Sequence, residues 1–403
     1  MSEKKFKMFI AGNWVEGATG RTQSVINPVD EEDIGRLCLA DNSDLEAALQ
    51  AAEHGLINWA TVPAWERGTI LKTTAQLMRD RSADIGRMMT LEHGKTLAES
   101  QGELVRAADF IEWGGEEARR VSSRNFSARD PQAQVYIDYG PVGIVAAFSP
   151  WNYPVMQASK KLAALLAAGC SCVLKPAEET PVSTSAFIQC LIDAGLPDGV
   201  VNMVFGVPAD ISEFLIKDPR VAKITFTGSV PVGKVLAAQA GAHMKPCTME
   251  LGGHSPVLVY PDIDLDRVTD ILVTRKFANS GQVCVSPNRF FVHQDIVDEF
   301  SQLFCAKASA LQVGNGLDPN VQMGPLANLR RLEAVERLVD DALTRGAELL
   351  LGGKRLAGDG FFFPPTVLKS VTLDSEFMTV EPFGPVVPIV SFTDDEEVLR
   401  YAN

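Results

Sequence analysis

The chain has 403 residues, 46% hydrophobic and 22% charged, with 37 basic against 51 acidic side chains and a formal net charge of −14. That length can bury large cores and suits two or three domains. The acidic surplus excludes nucleic acid or an acidic membrane as partner, because no basic excess exists to neutralise phosphates. Seven cysteines, an odd number with no CxxC pair, read as reduced thiols of a cytoplasmic protein. The charged start Met1-Ser2-Glu3-Lys4-Lys5 lacks the apolar run of a signal peptide, and no apolar stretch is long enough to cross a bilayer.

Residues 1–30 read as a strand-and-turn lead-in, and 44–120, rich in Ala, Leu, Met and Glu at helical spacing, as several helices. The polar segment 121–140, with Pro131 near its middle and Val135-Tyr136-Ile137 after it, reads as a hairpin. From 143 onward short apolar runs at 143–148, 171–175, 200–205, 222–227 and 255–260 alternate with helical stretches at 155–168, 181–194, 209–217 and 231–242. Such alternation predicts an α/β fold with a parallel sheet covered by helices on both faces. A second alternating block follows 265, with helices near 267–280, 295–310 and 328–346.

Five motifs carry chemistry. Pro150-Trp151-Asn152-Tyr153-Pro154 follows a strand and precedes a helix, where ligands of open parallel sheets gather. Asn152 could donate to a developing oxyanion or simply form the turn. Lys175-Pro176-Ala177-Glu178 ends the next strand; its carboxylate could accept from ribose hydroxyls or belong to a solvated ion pair. Phe226-Thr227-Gly228-Ser229 turns into a helix whose free N–H groups could hold a phosphate, unless Ser229 merely caps that helix. Glu250 and Cys284, 34 residues apart (284 − 250), each fall in a predicted glycine-marked turn, Met249-Glu250-Leu251-Gly252-Gly253 and Gly281-Gln282-Val283-Cys284. A thiolate can attack a carbonyl and hold the acyl group, and a carboxylate can activate the water that releases it. Cys284 could equally be a buried, inert thiol like those predicted at 170, 172 and 190. Glu381-Pro382-Phe383-Gly384-Pro385 is a rigid bend that projects an acid and a ring, or a plain surface turn. The five histidines show no metal-ligand spacing, so no metal site is expected.

Taken together, PWNYP, KPAEETP, FTGSVPVG, MELGG with GQVC, and EPFGP resemble the aldehyde dehydrogenase superfamily in order and spacing, over essentially the whole chain from NPVDEEDIG onward. The resemblance implies a Rossmann-like parallel-sheet NAD(P) domain (1–121 and 141–251), an oligomerisation arm of β-strands that bridges subunits (122–140), and an α/β catalytic domain (252–403). It makes Cys284 the nucleophile that forms a thiohemiacetal and then a thioester, Asn152 an oxyanion donor, Glu250 the activator of water, and Lys161 their companion. It places Lys175 and Glu178 on the adenosine ribose, Ser229 on the pyrophosphate, Glu381 on the nicotinamide ribose and Phe383 at the ring end, with Ser149, Pro150, Trp151, Gly228 and Leu251 completing the contacts to the cofactor. The charge of Glu178 favours NAD, with NADP left open by Lys175.

Within the superfamily, the text around 104–121, 155–175 and 281–300 is most similar to dehydrogenases of succinate or 2-oxoglutarate semialdehyde. At the two positions where arginines there grip a substrate carboxylate, this chain has Lys160, a candidate substrate contact without the bidentate fork, and Ala278. Ser286 stands where some relatives carry a second cysteine. Family members also continue beyond the position of Asn403. The expectation is therefore a C-terminally incomplete chain whose last helix, from Asp394, lacks a cap, whose turnover is impaired, and whose parent is a homodimer or homotetramer. A non-catalytic nucleotide-binding or assembly protein and a cofactor-free cysteine esterase are the competing readings; the esterase leaves Glu178, Ser229 and Glu381 unexplained.

Overall fold

The computed structural model describes residues 4–403. They form two compact units. The first comprises residues up to Val25, Ile34–Met88 and Gln101–Leu251; the second comprises Ile26–Asp33, Met89–Ser100 and Gly252–Asn403. The lead-in holds β1 (Lys5–Phe6), β2 (Met8–Ile10), β3 (Asn13–Val15), β4 (Thr22–Ile26) and β5 (Asp33–Cys38). Four helices follow: α1 (Asn42–Thr61), α2 (Ala64–Asp80), α3 (Ser82–His93) and α4 (Leu97–Glu117). Next come the hairpin strands β6 (Arg124–Ser127) and β7 (Gln134–Ile137). The alternating block is β8 (Ile144–Phe148), α5 (Pro154–Ala167), β9 (Ser171–Lys175), α6 (Pro181–Asp193), β10 (Val201–Met203), α7 (Pro208–Lys217), β11 (Val221–Gly228), α8 (Val230–Ala242) and β12 (Cys247–Leu251).

Local chemistry explains these boundaries. Asp41 and Asp44 close a capping box at the start of α1. Prolines open α5, α6 and α7, where their missing N–H is harmless and their fixed φ suits the first turn. Strands β8, β9 and β10 are buried along their whole length, which is why they read as unbroken apolar runs. They sit in a seven-stranded sheet ordered β12-β11-β8-β9-β10-β2-β3, parallel from β12 to β10 with β2 and β3 antiparallel at the edge. The chain leaves β8 toward β9 and β10 and later crosses back to β11 and β12, so the switch point lies between β8 and β11. The register aligns Phe148 with Lys175, Phe148 with Phe226, and Thr227 with Glu250, so four of the motif-bearing segments end along one edge.

The second unit contains β13 (Pro256–Val259), α9 (Leu265–Phe277), β14 (Arg289–His293), α10 (Val297–Ser309), α11 (Leu329–Thr344), β15 (Glu348–Leu351), β16 (Thr366–Lys369), β17 (Val386–Phe392) and α12 (Asp395–Ala402). Its sheet runs β13-β14-β17-β16-β15, parallel except for the β15–β16 pair. Alternate residues face two cores, as the period of a strand requires. Phe290 and Val292 pack with Phe300 and Phe304, while Phe291 packs with Phe377, Phe392 and Val335.

Two expectations are corrected. Glu250 lies inside strand β12 and not in a turn; the glycines follow it. β12 is a partly exposed edge strand with polar residues at 248 and 250, so no apolar run marks it. Helix α12 does not end uncapped: the Arg289 guanidinium donates to the carbonyls of Tyr401 (3.2 Å) and Ala402 (2.9 Å), and Asn403 Nδ2 to that of Leu399 (2.9 Å).

Candidate active site

In the first unit the carboxyl ends of the parallel strands gather most of the candidate residues. Ser149 follows β8 and its backbone N–H reaches the Lys175 carbonyl at 3.2 Å, while its buried hydroxyl has no protein partner. Asn152 is 4% exposed, and the N-cap position of α5 is held by Tyr153, so capping does not explain Asn152. Pro150 and Trp151 are half-buried in the same turn. Glu103 from α4 steadies that turn by accepting from the backbone N–H groups of Val155 and Met156, both at 3.0 Å. Lys175, buried at the end of β9, is ion-paired with Glu178 in one shared corner rather than solvated beside it.

Ser229 occupies the N-cap position of α8 without a side-chain cap bond, which leaves both its hydroxyl and the first N–H groups of α8 to a ligand. Gly233 in that helix lies so close to β12 that a Cβ would sit 2.4 Å from the Leu251 side chain. Lys161, buried on α5, donates from Nζ to Thr227 Oγ1 (2.7 Å) and Thr225 Oγ1 (3.2 Å). Burial lowers its ammonium from 10.5 to about 8; the Glu250 charge works in the opposite direction and Lys160 adds to the lowering. Lys160, one position earlier, is exposed, with Nζ over the Phe110 ring at 4.8 Å. It borders a half-open groove of about 380 Å³ lined by Phe110, Trp113 and Ala163.

The second unit holds Cys284, half-buried, on a turn unlike the rest of the chain. Asn279 (φ 51°), Ser280 (φ 56°) and Gly281 (φ 74°) are all left-handed in succession. Two non-glycine residues in that region store strain that the surroundings must overcome. Several contacts do so. The Asn279 N–H donates to Glu99 Oε1 at 2.6 Å, and the Ser280 hydroxyl to the Gly324 carbonyl at 2.8 Å. The Gln282 amide donates to the Asn279 carbonyl (3.0 Å) and accepts from Ala327 (2.9 Å). Gly281 is obligatory, since a Cβ there would lie 2.2 Å from the Gly384 carbonyl oxygen.

Glu381 shares this neighbourhood. Its carboxylate accepts from the Gly253 N–H, and the Cys284 carbonyl lies 3.3 Å from where a Cβ on Gly253 would be. A Cβ on Gly252 would sit 2.2 Å from Glu381 Oε2, so only glycine lets the acid lie there. Burial raises the Glu381 carboxyl to about 7 despite Gly253, Arg331 and Lys276, and its buried Oε1 has no protein partner. Phe383, two residues on, is left-handed (φ 44°), which turns the bend. Ala278 is half-buried and Ser286 buried.

Sequence reasoning missed Glu99, Glu103, Gln282, Arg331 and Lys276. Glu99 had a signal: Thr96-x-x-Glu99 is a capping box, with Thr96 N–H and Oγ1 reaching Glu99 Oε2 at 3.0 and 2.9 Å. Glu103 acts on Val155 and Met156, and Gln282 on Ala327, across sequence separations of 45 or more that no local pattern reveals. Among the described residues no group of His, Cys, Asp or Glu could hold a metal, and no helix is long and apolar enough to cross a membrane.

A switch-point parallel sheet with Glu178, Lys175 and the N-cap position of Ser229 along its carboxyl edge is the arrangement of a nucleotide-binding α/β fold. More particularly, the chain belongs to the aldehyde dehydrogenase family, whose model matches residues 14–403. It is 44% identical over 397 residues to a putative 4-(hydroxymethyl)benzenesulfonate dehydrogenase of Comamonas testosteroni, covering 98% of this chain and 83% of the relative. It is 38% identical over 399 residues to 3-sulfolactaldehyde dehydrogenase of Pseudomonas putida, covering 99% and 82%. The solved succinate-semialdehyde dehydrogenase of Burkholderia pseudomallei superposes with a TM-score of 0.96 at 38% identity, covering 98% and 82%. The protein is thus an oxidoreductase that converts an aldehyde to its carboxylate with NAD or NADP, and a non-catalytic reading is not favoured.

Proposed function

We propose that the substrate is an aldehyde carrying a remote anionic group, sulfonate or carboxylate, and that Cys284 is the nucleophile. The observation that carries the substrate reading is Lys160: an exposed cation beside aromatic and alanine walls suits an anion at the end of an apolar body. The relatives named for sulfonated substrates and for a semialdehyde, which carries one carboxylate, support the same class. Alanine at 278 removes a second cationic contact, which favours one charge-assisted contact over a two-pronged grip.

The residues fit a dinucleotide. Ser149 offers a buried hydroxyl without a partner, α8 offers uncapped N–H groups beside Ser229, and Glu178 and Glu381 offer carboxylates to ribose hydroxyls, with Lys175 beside Glu178. Pro150, Trp151, Gly228, Leu251 and Phe383 would line the same ligand. The carboxylate of Glu178 favours a ribose with free hydroxyls, hence NAD. When bound, the nicotinamide supplies a hydride acceptor. The chain does the rest. The Cys284 thiolate adds to the carbonyl carbon, and Asn152 donates to the oxygen as charge develops on it. After oxidation the acyl group is held as a thioester on Sγ. Glu250 takes a proton from water, which attacks that thioester, and Lys161, whose proton is already loosely held, steadies the Glu250 carboxylate.

The seven thiols without disulfides suit a reducing compartment, the cytoplasm. The exposed hairpin β6–β7 suits a homo-oligomer, a dimer or tetramer. The test is a panel of 4-formylbenzenesulfonate, succinate semialdehyde and butanal with NAD and with NADP. The anionic aldehydes should win in kcat/KM by about 10-fold or more, in line with one charge-assisted contact, and Lys160→Met should erase the advantage. Equal kcat/KM for butanal would refute the substrate reading. Undiminished oxidation by Cys284→Ser would refute the nucleophile.

A further inference from the structure

A buried ammonium ordinarily pairs with a carboxylate. Lys161 does not. Among the described residues its Nζ bonds to two neutral hydroxyls, Thr227 Oγ1 at 2.7 Å and Thr225 Oγ1 at 3.2 Å, and to no acid. An ammonium has three protons, so one N–H remains beyond those two bonds. Both threonines stand on β11, two residues apart, and therefore share one face of the sheet. Ile224 and Phe226, the residues between and before them, turn to the other face and are buried there.

The neighbouring edge strand carries the acid. β11 and β12 pair in parallel, with Thr225 beside Thr248 and Thr227 beside Glu250. Partners on adjacent strands lie about 5 Å apart and project to the same side. An ammonium seated on the Thr227 hydroxyl is therefore one strand away from the Glu250 carboxylate. The charge of Glu250 is felt at Lys161, where it works against burial. Glu250 itself is exposed and open to water.

We propose that Thr225 is a positioning residue for the hydrolytic step: its hydroxyl, with that of Thr227, clamps the Lys161 ammonium one strand away from Glu250, near enough to favour the carboxylate but not paired with it. The proposal rests on the reading of Glu250 as the base that activates water. A carboxylate in a close ion pair is a weak proton acceptor, because the cation holds its pKa down. The clamp supplies the field of the cation without that contact. In the step itself a Glu250 oxygen takes one proton of the water, and the water oxygen bonds to the acyl carbon. The C–S bond breaks and its electron pair leaves on Cys284 Sγ. The acid product and Glu250 then release their protons to solvent, and nothing is oxidised or reduced.

Thr225 isolates this role better than Thr227. Thr227 adjoins Gly228 and Ser229, which belong to the proposed cofactor contacts, so a change there would mix two effects. The Thr225 hydroxyl has Lys161 as its one side-chain partner among the described residues. With that hydroxyl gone, the amine keeps a single bond and can swing onto Glu250.

The experiment follows the acyl-enzyme on the full chain. Protein and NAD are mixed with whichever of the three aldehydes above has the highest kcat/KM, quenched in acid over time, and the intact protein is weighed by mass spectrometry. Glu250→Gln should prolong the adduct about 100-fold or more, as loss of a general base does. Thr225→Val should form the adduct at the parent rate and lose it about 10-fold more slowly, in line with one hydrogen bond to a charged group. Thr225→Ser, which keeps the hydroxyl, should restore the parent decay. Hydroxylamine, which attacks without prior loss of a proton, should discharge the Thr225→Val adduct as fast as that of the parent. Thr225→Ala removes the same hydroxyl should Thr225→Val fail to fold.

An adduct of Glu250→Gln that decays as fast as the parent's refutes the underlying reading of Glu250. A prolonged adduct in Glu250→Gln with parent-like decay in Thr225→Val overturns only the role of Thr225. Formation and decay slowed alike in Thr225→Val, or no recovery in Thr225→Ser, would make the threonine a packing residue and overturn the clamp.

Discussion

Lys161, proposed to steady Glu250, shows what such a position demands of a single side chain. Its ammonium is buried against two threonine hydroxyls, and burial brings its value from 10.5 to about 8. Between those values the unfolded chain binds the proton that the folded chain gives up, so stability rises with pH across 8 to 10.5. The cost is fully present below 8. At 1.36 kcal/mol per unit, 2.5 units (10.5 − 8) correspond to about 3 kcal/mol at pH 7. Lys161→Met should therefore raise the melting temperature at pH 7, with the gain vanishing above pH 10.5, while kcat falls because Glu250 loses its neighbour. A melting temperature that drops at pH 7 would show that the threonine contacts outweigh desolvation. Chemical type was legible here: the acid, the amide, the thiol and Lys161 were all identifiable as residues. Their environments were not, because burial and strain come from distant segments, as with Glu103, 52 and 53 positions away, holding the turn before α5.

At the scale of elements, the helix–strand alternation of 143–260 was readable because each buried parallel strand is a continuous apolar run and each helix opens on proline or a polar turn. The edge strand β12 was not, since half its residues meet solvent and its sequence alternates weakly. Nor could periodicity reveal the left-handed run at 279–281, because Asn and Ser are ordinary turn residues and only the hydrogen bonds around them show what that backbone needs. Glu99 is the clearest of those needs. One oxygen serves the capping box at the start of α4 and the other serves the Asn279 N–H. Glu99→Gln keeps the shape but turns one acceptor into a donor, so one N–H is left without a partner. That should cost about 1–2 kcal/mol of stability and, by loosening the nucleophile turn, lower kcat/KM about 10-fold. Differential scanning calorimetry and steady-state kinetics on Glu99→Gln and Glu99→Ala would measure both. An unchanged kcat/KM in Glu99→Ala would show that the turn holds itself.

For the whole molecule, the hairpin β6–β7 is the part that its own unit does not explain. All eight of its strand residues are exposed, including Phe126, Val135, Tyr136 and Ile137. The pairing is regular, Arg124 with Ile137 through Ser127 with Gln134, yet a lone two-stranded hairpin is marginal in water. Its open edges invite a further strand. A second copy of the chain would satisfy both needs, as the proposed homo-oligomer requires. Phe126→Ser combined with Tyr136→Ser removes the apolar contacts without touching the backbone ladder. The double variant should run as a smaller species than the parent in light scattering after size exclusion, with its first melting transition at a lower temperature, because subunit association stabilises by mass action. Activity per subunit decides what the arm is for. A monomer that keeps kcat assigns the hairpin to assembly alone, whereas a monomer that loses kcat in proportion assigns it to holding the catalytic geometry. An unchanged mass would remove the hairpin from the interface altogether.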